Sequence, residues 1–227
     1  MLEKVSVTQT VARRLQEMIR SGELPPGEKM PSQRVLSERL GVSRPSLREA
    51  LLTLETLGLV RTLPARGTFV VDRSSEAMPQ NVWRYEDQSI RDVFQTRILL
   101  EGELCRLAAG RVDAQTLDYL AQANADFEEA WTQGDLVAHV EADLRFHSAI
   151  AEACPNRMLR RLFHSVEHLL TESQRQPIPN TARDRMQQSM REHRAILSSL
   201  RRGDAALAET AMRAHIRNTA ACAGITV

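Results

Sequence analysis

Residues 22–70 read GELPPGEKMPSQRVLSERLGVSRPSLREALLTLETLGLVRTLPARGTFV. Two short blocks in this stretch carry apolar residues at helical spacing. Val35, Leu36 and Leu40 mark the first, with Ser32 placed as N-cap and Gly41 as its stop. Leu47, Ala50, Leu51, Leu54 and Leu57 stripe the second, with Ser43 as N-cap, Pro45 tolerated in the first turn and Gly58 as stop. Residues 59–63 and 68–71 are apolar and β-branched runs around Pro64-Ala65-Arg66-Gly67, which predicts a hairpin. Upstream, Val7, Val11, Leu15, Met18 and Ile19 predict a buried helical stripe over 6–21, closed by Gly22, and Pro25-Pro26-Gly27 reads as a loop. The order is helix, helix, helix, two-stranded ribbon. Two helices joined by a tight Gly-containing turn are a helix-turn-helix, and the ribbon supplies a wing.

Such a module presents the N-terminal end of its second helix to the DNA major groove. The exposed residues there are Ser43, Arg44, Ser46 and Arg48. Arginine bonds guanine O6 and N7 in a fork, and serine reaches bases or phosphates. Arg34, early in the preceding helix, suits a phosphate or a base edge. Arg66 and Gly67 put a cation and a bare backbone at the wing tip.

The rest of the chain differs in kind. Residues 74–87 are polar without clean periodicity and are expected to be a linker between a domain over 1–73 and one over 88–227. No strand pattern follows. Six helices are expected, roughly 88–111, 113–133, 135–153, 156–174, 181–202 and 204–222, with Asp113, Asp135, Asn156 and Asp204 as N-caps. The fold expected is mainly α: a winged helix-turn-helix followed by an all-α bundle. Among 227 residues, 30 Lys+Arg balance 29 Asp+Glu, which taken whole speaks against a strongly basic DNA binder. The balance hides a polarity. Residues 1–73 hold 12 basic and 8 acidic side chains, while 74–227 hold 18 and 21. Cys105, Cys154 and Cys222 are far apart with no C-x-x-C pair, so a disulfide framework or thiolate metal site is not indicated. No apolar run is long enough to span a membrane and no secretory signal is visible, so a cytoplasmic address is expected.

The helical part is rich in histidine and carboxylate at one-turn spacing. Asp143 and His147 share a helix face, and His193 and His215 lie on later helices. Three imidazoles and a carboxylate suit a divalent ion such as Zn²⁺, Ni²⁺ or Mn²⁺. His139, Asp143 and His147 also repeat every four residues, and His164 and His168 form another such pair. Spacing alone does not choose between them.

Residues 22–70 closely resemble the winged-helix domain of the GntR family of bacterial transcriptional regulators. The resemblance implies operator contacts by Arg34, Arg44 and Arg48, with Gly67 at the wing tip. Met30-Pro31-Ser32-Gln33 departs slightly from the family's usual L-P-S-E, and Pro45 is unusual. Residues 90–220 resemble FCD, the helical effector domain of FadR-type members, through R-x-x-L-E (Arg97 to Glu101), D-L-R-F-H, E-H-R-A-I-L and A-M-R-A-H-I. Metal-containing members use the Asp and His of D-x-x-x-H, the His of E-H-R-A-I and the His of the last helix. The resemblance therefore implies a metal on Asp143, His147, His193 and His215, zinc being the foremost expectation. It also places Arg97 at the cavity for a carboxylate effector, with Glu101 one turn on as acceptor for a sugar hydroxyl. Arg145 and Arg194 are expected to point elsewhere, and Trp83, Tyr85 and Trp131 to pack at the domain joint or core.

The function expected is a repressor, working as a homodimer on a palindromic operator, with operator affinity set by a sugar acid or other organic acid. A metal-dependent hydrolase is the rival from another class, but H-E-x-x-H, G-x-S-x-G and a Gly-rich phosphate loop are all missing, so no enzyme is expected. A DNA binder whose metal is purely structural is the third reading.

Overall fold

The computed structural model describes residues 7–63, 66–72, 89–175, 177–178 and 181–227. It divides into two compact units, Met1–Val82 and Trp83–Val227. The expected linker 74–87, with Trp83 and Tyr85, lies outside the described residues.

In the first unit, α1 (Val7–Arg20), α2 (Gln33–Leu40) and α3 (Arg44–Thr56) precede an antiparallel pair, β1 (Val60–Leu63) and β2 (Gly67–Val70). The helix ends follow the local chemistry. The Ser32 hydroxyl accepts from Val35 N at the start of α2, and Gly41 closes that helix at φ 66°, a left-handed geometry that costs glycine no Cβ clash. Val11, Leu15, Met18, Leu36, Leu47, Leu54 and Leu57 form the core, each nearly fully buried. Val7 does not join them. It is 59% exposed, because α1 begins there and its buried face starts a turn later at Val11.

The wing is broader than two strands. Met30 N donates to Thr68 O, Gly27 N to Val70 O, and Val70 N to Glu28 O. The stretch after Pro25-Pro26 therefore leaves the loop and lies as a third backbone against β2. Pro64 and Ala65 at the hairpin tip lie outside the described residues.

The second unit contains α4 (Ile90–Ala108), α5 (Ala114–Gln133), α6 (Leu136–Ala153), α7 (Arg157–Arg175), α8 (Arg183–Arg202) and α9 (Ala205–Cys222). Asp113, Asp135 and Asp204 accept from backbone N–H groups as N-caps, and Asn156 does so for Met158 and Leu159. The start of α4 uses an unforeseen capping box, Ser89 with Asp92. α4 packs against α6, α7 and α9, while α5 pairs with α6 and α8 with α9. Phe94, Ile98, Phe146, Ile150, Ile196, Met212 and Ile216 fill the space between them. Among the described residues, the buried polar side chains Arg97, Glu101, His147, His193 and His215 gather where α4, α6, α8 and α9 converge.

Candidate nucleic-acid interface and metal centre

The N-terminal end of α3 is a capped helix start. Ser43 Oγ accepts from Ser46 N at 3.2 Å and lies 2.8 Å from Ser46 Oγ. Ser43 is thus already engaged as the cap, and both hydroxyls sit at the helix's positive end. Arg44 and Arg48 are exposed, one turn apart. Arg34 is exposed and pairs with Glu38 at 2.9 Å. An exposed i, i+4 pair of this kind is weak, so a phosphate can displace the carboxylate. Arg66 is exposed beside Gly67, which sits at φ 108°. That φ is what calls for glycine here; a Cβ on Gly67 would meet only the flexible end of the Lys29 side chain, which can swing away. Sequence reasoning missed Lys29, because only the third wing strand brings it there.

The polar interior of the second unit gathers Asp143 and His147 from α6, His193 from α8 and His215 from α9. One ligand atom from each lies within 4.8 Å of the others, and all four residues are buried. His193 Nε2 is 3.3 Å from Asp143 Oδ1 and 3.3 Å from His215 Nε2, and His147 Nε2 is 3.7 Å from Asp143 Oδ1.

Two carboxylates behind the cluster fix which nitrogens face it. His147 Nδ1 donates to Glu101 Oε2 at 2.5 Å, and Glu101 Oε1 accepts from Arg97 Nε at 2.7 Å. His215 Nδ1 donates to Glu192 Oε2 at 2.9 Å, and Glu192 also accepts from Asn218 and Arg185. Each Nδ1–H is committed to a carboxylate, so each Nε2 presents its lone pair inward. This is how metal-ligating histidines are commonly held. His193 is held differently, its ring stacked on Phe146 at 4.5 Å and tilted against Phe127 at 4.7 Å.

The electrostatics agree with a cation site. Burial pushes the Asp143 carboxyl up, but His147, His193 and His215 outweigh it and hold it well below the usual carboxylate range. Burial pushes His215 down to about 4, against the opposing bond to Glu192, so it is neutral at pH 7. Glu101 is held at about 2, since Arg97 and His147 overcome its burial. Metal binding needs an ionised carboxylate and neutral imidazoles, and Asp143 and His215 already meet that need. His147 Nε2 is buried with no hydrogen-bond partner among the described residues. A buried lone pair beside an ionised carboxylate is costly unless a cation completes it, and the donor set fits a divalent ion.

A cavity of about 40 Å³ adjoins the cluster, room for roughly three water molecules. Its wall includes Arg97, His139, Asp143, Gln174, Arg185 and His215. Arg97 is on this wall, its guanidinium bonded to Glu101 and Ser173. Glu101 does not offer the free acceptor expected of it, since Arg97 and His147 occupy its two oxygens. His164 stands apart at the surface between Glu152 and Glu167, and the His168 side chain lies outside the described residues. Arg145 and Arg194 pair with Asp126 and Glu128 on the outer face. Trp131 is partly buried beside Phe127. Sequence reasoning missed Glu192, Arg185 and Gln174, and the place of His139 on the cavity wall. Glu192 is adjacent to His193 in sequence but serves His215, and only the packing of α8 on α9 reveals that.

A winged helix-turn-helix on the same chain as a helical domain with a polar, histidine-lined interior defines a transcriptional regulator. Residues 7–70 match the model for bacterial regulatory proteins of the gntR family, and residues 92–218 match the FCD domain. The chain belongs to the gntR family and carries an FCD domain. It is 31% identical over 207 residues to the HTH-type transcriptional regulator LutR of Bacillus subtilis, covering 88% of this chain and 94% of that one. It is 28% identical over 223 residues to the Glc operon transcriptional activator of Escherichia coli, covering 95% and 88%. The solved structure of E. coli McbR/YncC shares the fold, with a TM-score of 0.57 at 19% identity and coverage of 97% and 98%. The families and these relatives are regulators of transcription, not enzymes. No helix among the described residues is long and apolar enough to cross a membrane.

Proposed function

We propose that this regulator binds a divalent metal through Asp143, His147, His193 and His215, and that a small organic acid bound beside the metal controls its affinity for operator DNA. The observation that carries the reading is the set of buried ligand atoms within 4.8 Å, with His147 and His215 each pinned through Nδ1 by a carboxylate. A bound Zn²⁺, Ni²⁺ or Mn²⁺ with open positions would supply Lewis-acid attachment for a carboxylate. Arg97 and Arg185 on the cavity wall supply cationic donors for the same group.

In this reading Glu101 is a positioning residue for His147 rather than an effector contact. Arg44 and Arg48 read bases in the major groove, Ser43 and Ser46 sit at the phosphate-facing helix end, and Arg34, Arg66 and Gly67 meet the backbone and minor groove. The protein acts in the cytoplasm as a homodimer, because paired recognition helices match a palindromic operator. Repression relieved by the acid is the sign we favour, although the Glc operon relative is named an activator.

Thermal melts test the whole of it. Protein loaded with Zn²⁺ should show a rise in Tm with one acid of a panel. The same acid should alter anisotropy on a duplex selected from a random pool. Chelation and His193→Ala should both abolish the rise. An acid that acts equally with and without metal would overturn the metal's role, and a panel with no effect would favour a purely structural metal.

A further inference from the structure

We infer that Lys29 is a further DNA contact of the wing: its ammonium holds a backbone phosphate beside the hairpin tip, and it does so from the third wing backbone rather than from the hairpin. The inference rests on the reading of the first unit as a DNA-binding module. It adds a residue that grips the duplex without reading its sequence.

The register of the wing decides which side chains share a face. Lys29 bridges Phe69, and Phe69 pairs with Arg61 on β1. Residues directly opposed in antiparallel strands put their side chains on the same face. Met30, Val60, Thr68 and Val70 are buried and make the inner face. Lys29, Phe69 and Arg61 form a row on the other face, Phe69 and Arg61 half-buried and Lys29 exposed. Alternation along β2 places Gly67, two residues before Phe69, on that outer face as well.

From its row the lysine runs toward the tip. Its Cε lies 2.7 Å and its Nζ 3.4 Å from the point where a Cβ on Gly67 would stand. The ammonium is therefore carried over bare backbone, next to the residue that follows the exposed Arg66. Arg14, Arg34 and Arg39 of the same unit are each paired with a glutamate. Among the described residues, none forms an ion pair or hydrogen bond with the Lys29 ammonium. An exposed, unpaired cation at the point where the wing meets the duplex has a phosphate as its natural counter-ion. An ammonium is a compact point charge without the fork that matches paired acceptors on a base, so it suits a phosphate oxygen better than a base edge.

The size of the effect follows from counterion release. Each phosphate contact contributes about 0.9 to the slope of log affinity against log salt. If its benefit vanishes near 1 M salt, one contact is worth about five-fold at 150 mM and about fifteen-fold at 50 mM.

The test is fluorescence anisotropy of the full chain across a KCl series. One duplex is an operator selected from a random pool, and the other is its scrambled counterpart. Lys29→Met should weaken both alike, by about five-fold at 150 mM for each Lys29 engaged, and flatten the salt slope by about 0.9. Lys29→Arg should keep the slope, and Arg48→Ala should cost the operator more than the scrambled duplex. Acetylation of the wild type with an N-hydroxysuccinimide ester, followed by mass spectrometry, needs no variant; either duplex should slow modification of Lys29. An unchanged slope in Lys29→Met, or a Lys29 that DNA leaves unprotected, overturns the inference when Arg48→Ala still weakens the operator. A loss confined to the operator overturns the phosphate assignment, because it would make Lys29 a reader of bases. If neither Arg48→Ala nor Lys29→Met changes binding, the DNA reading of the unit falls first, and the inference falls with it.

Discussion

Replacing Glu101 by Gln should be among the most damaging single changes in the helical unit. The carboxylate is buried, with Arg97 Nε at 2.7 Å on one oxygen and His147 Nδ1 at 2.5 Å on the other. The Arg97 side chain is 1% exposed, and its other described polar contact is a 3.2 Å bond to Ser173 Oγ. Glutamine has nearly the same shape but no charge, so the guanidinium stays buried without its counter-ion. Removing one partner of a buried pair costs about 3–5 kcal/mol, most of it the stranded charge. At roughly 2–4 °C per kcal/mol for a chain of this size, Tm should fall by about 10 °C. Urea unfolding followed by circular dichroism gives the free energy directly. The double replacement Arg97→Met with Glu101→Gln removes both charges and should recover much of the loss, and with Arg97→Met alone it completes a cycle whose coupling should exceed about 2 kcal/mol. Glu101→Gln should also weaken Zn²⁺ binding by about 10–100-fold, because His147 loses the partner that orients its ring. A loss under about 1 kcal/mol, or a double variant no better than the single, would refute the claim that this pair holds the site.

Four other outcomes follow from the same geometry. Arg48→Ala should weaken operator binding by about 1–3 kcal/mol in fluorescence anisotropy and leave acid binding intact; unchanged affinity counts against α3 as the reading helix. Gly67→Ala places a Cβ on a backbone at φ 108°, which strains the wing, so operator affinity should drop while the Tm of the helical unit is kept. His193→Ala should lower bound metal in elemental analysis, and retained stoichiometry would reject the four-residue site. Acid should destabilise the fold through His139, which burial pushes from 6.5 down to about 4. Between those values the unfolded chain holds the extra proton, so stability is present above pH 6.5 and lost as pH falls toward 4, by up to about 3 kcal/mol. His139→Gln should flatten that share in urea midpoints measured across the window.

Much of the fold was legible because its signals are local. Asp113, Asp135 and Asp204 cap helices three residues ahead of the N–H groups they accept from, and Gly41 turns the chain where its own φ is positive. A window of a few residues contains both halves of each interaction. The wing's third strand failed that condition: residues 27–30 meet β2 across some 40 positions of sequence, and nothing in Pro25-Pro26-Gly27 announces the partner. Val7 failed for the opposite reason, since it fits the helical stripe but lies where the helix begins and the core does not reach.

The histidine–aspartate cluster shows where periodicity stops. A four-residue spacing says that two side chains share a helix face, and it says so equally for His139 with Asp143, Asp143 with His147, and His164 with His168. It does not say which faces meet. In the structure the choice is made by what stands behind each ring. His147 and His215 have carboxylates on Nδ1 and so aim Nε2 at Asp143, whereas His139 has a backbone carbonyl on Nδ1 and lines the cavity beside the cluster. His164 has a glutamate on each nitrogen and no lone pair left to give. The same residue type at the same spacing therefore becomes a member of the cluster, a cavity wall or a surface ion pair according to the acceptor that its first nitrogen finds. For His147, His139 and His215 the acceptors come from other helices, α4, α5 and α8, so their assignment belongs to tertiary packing.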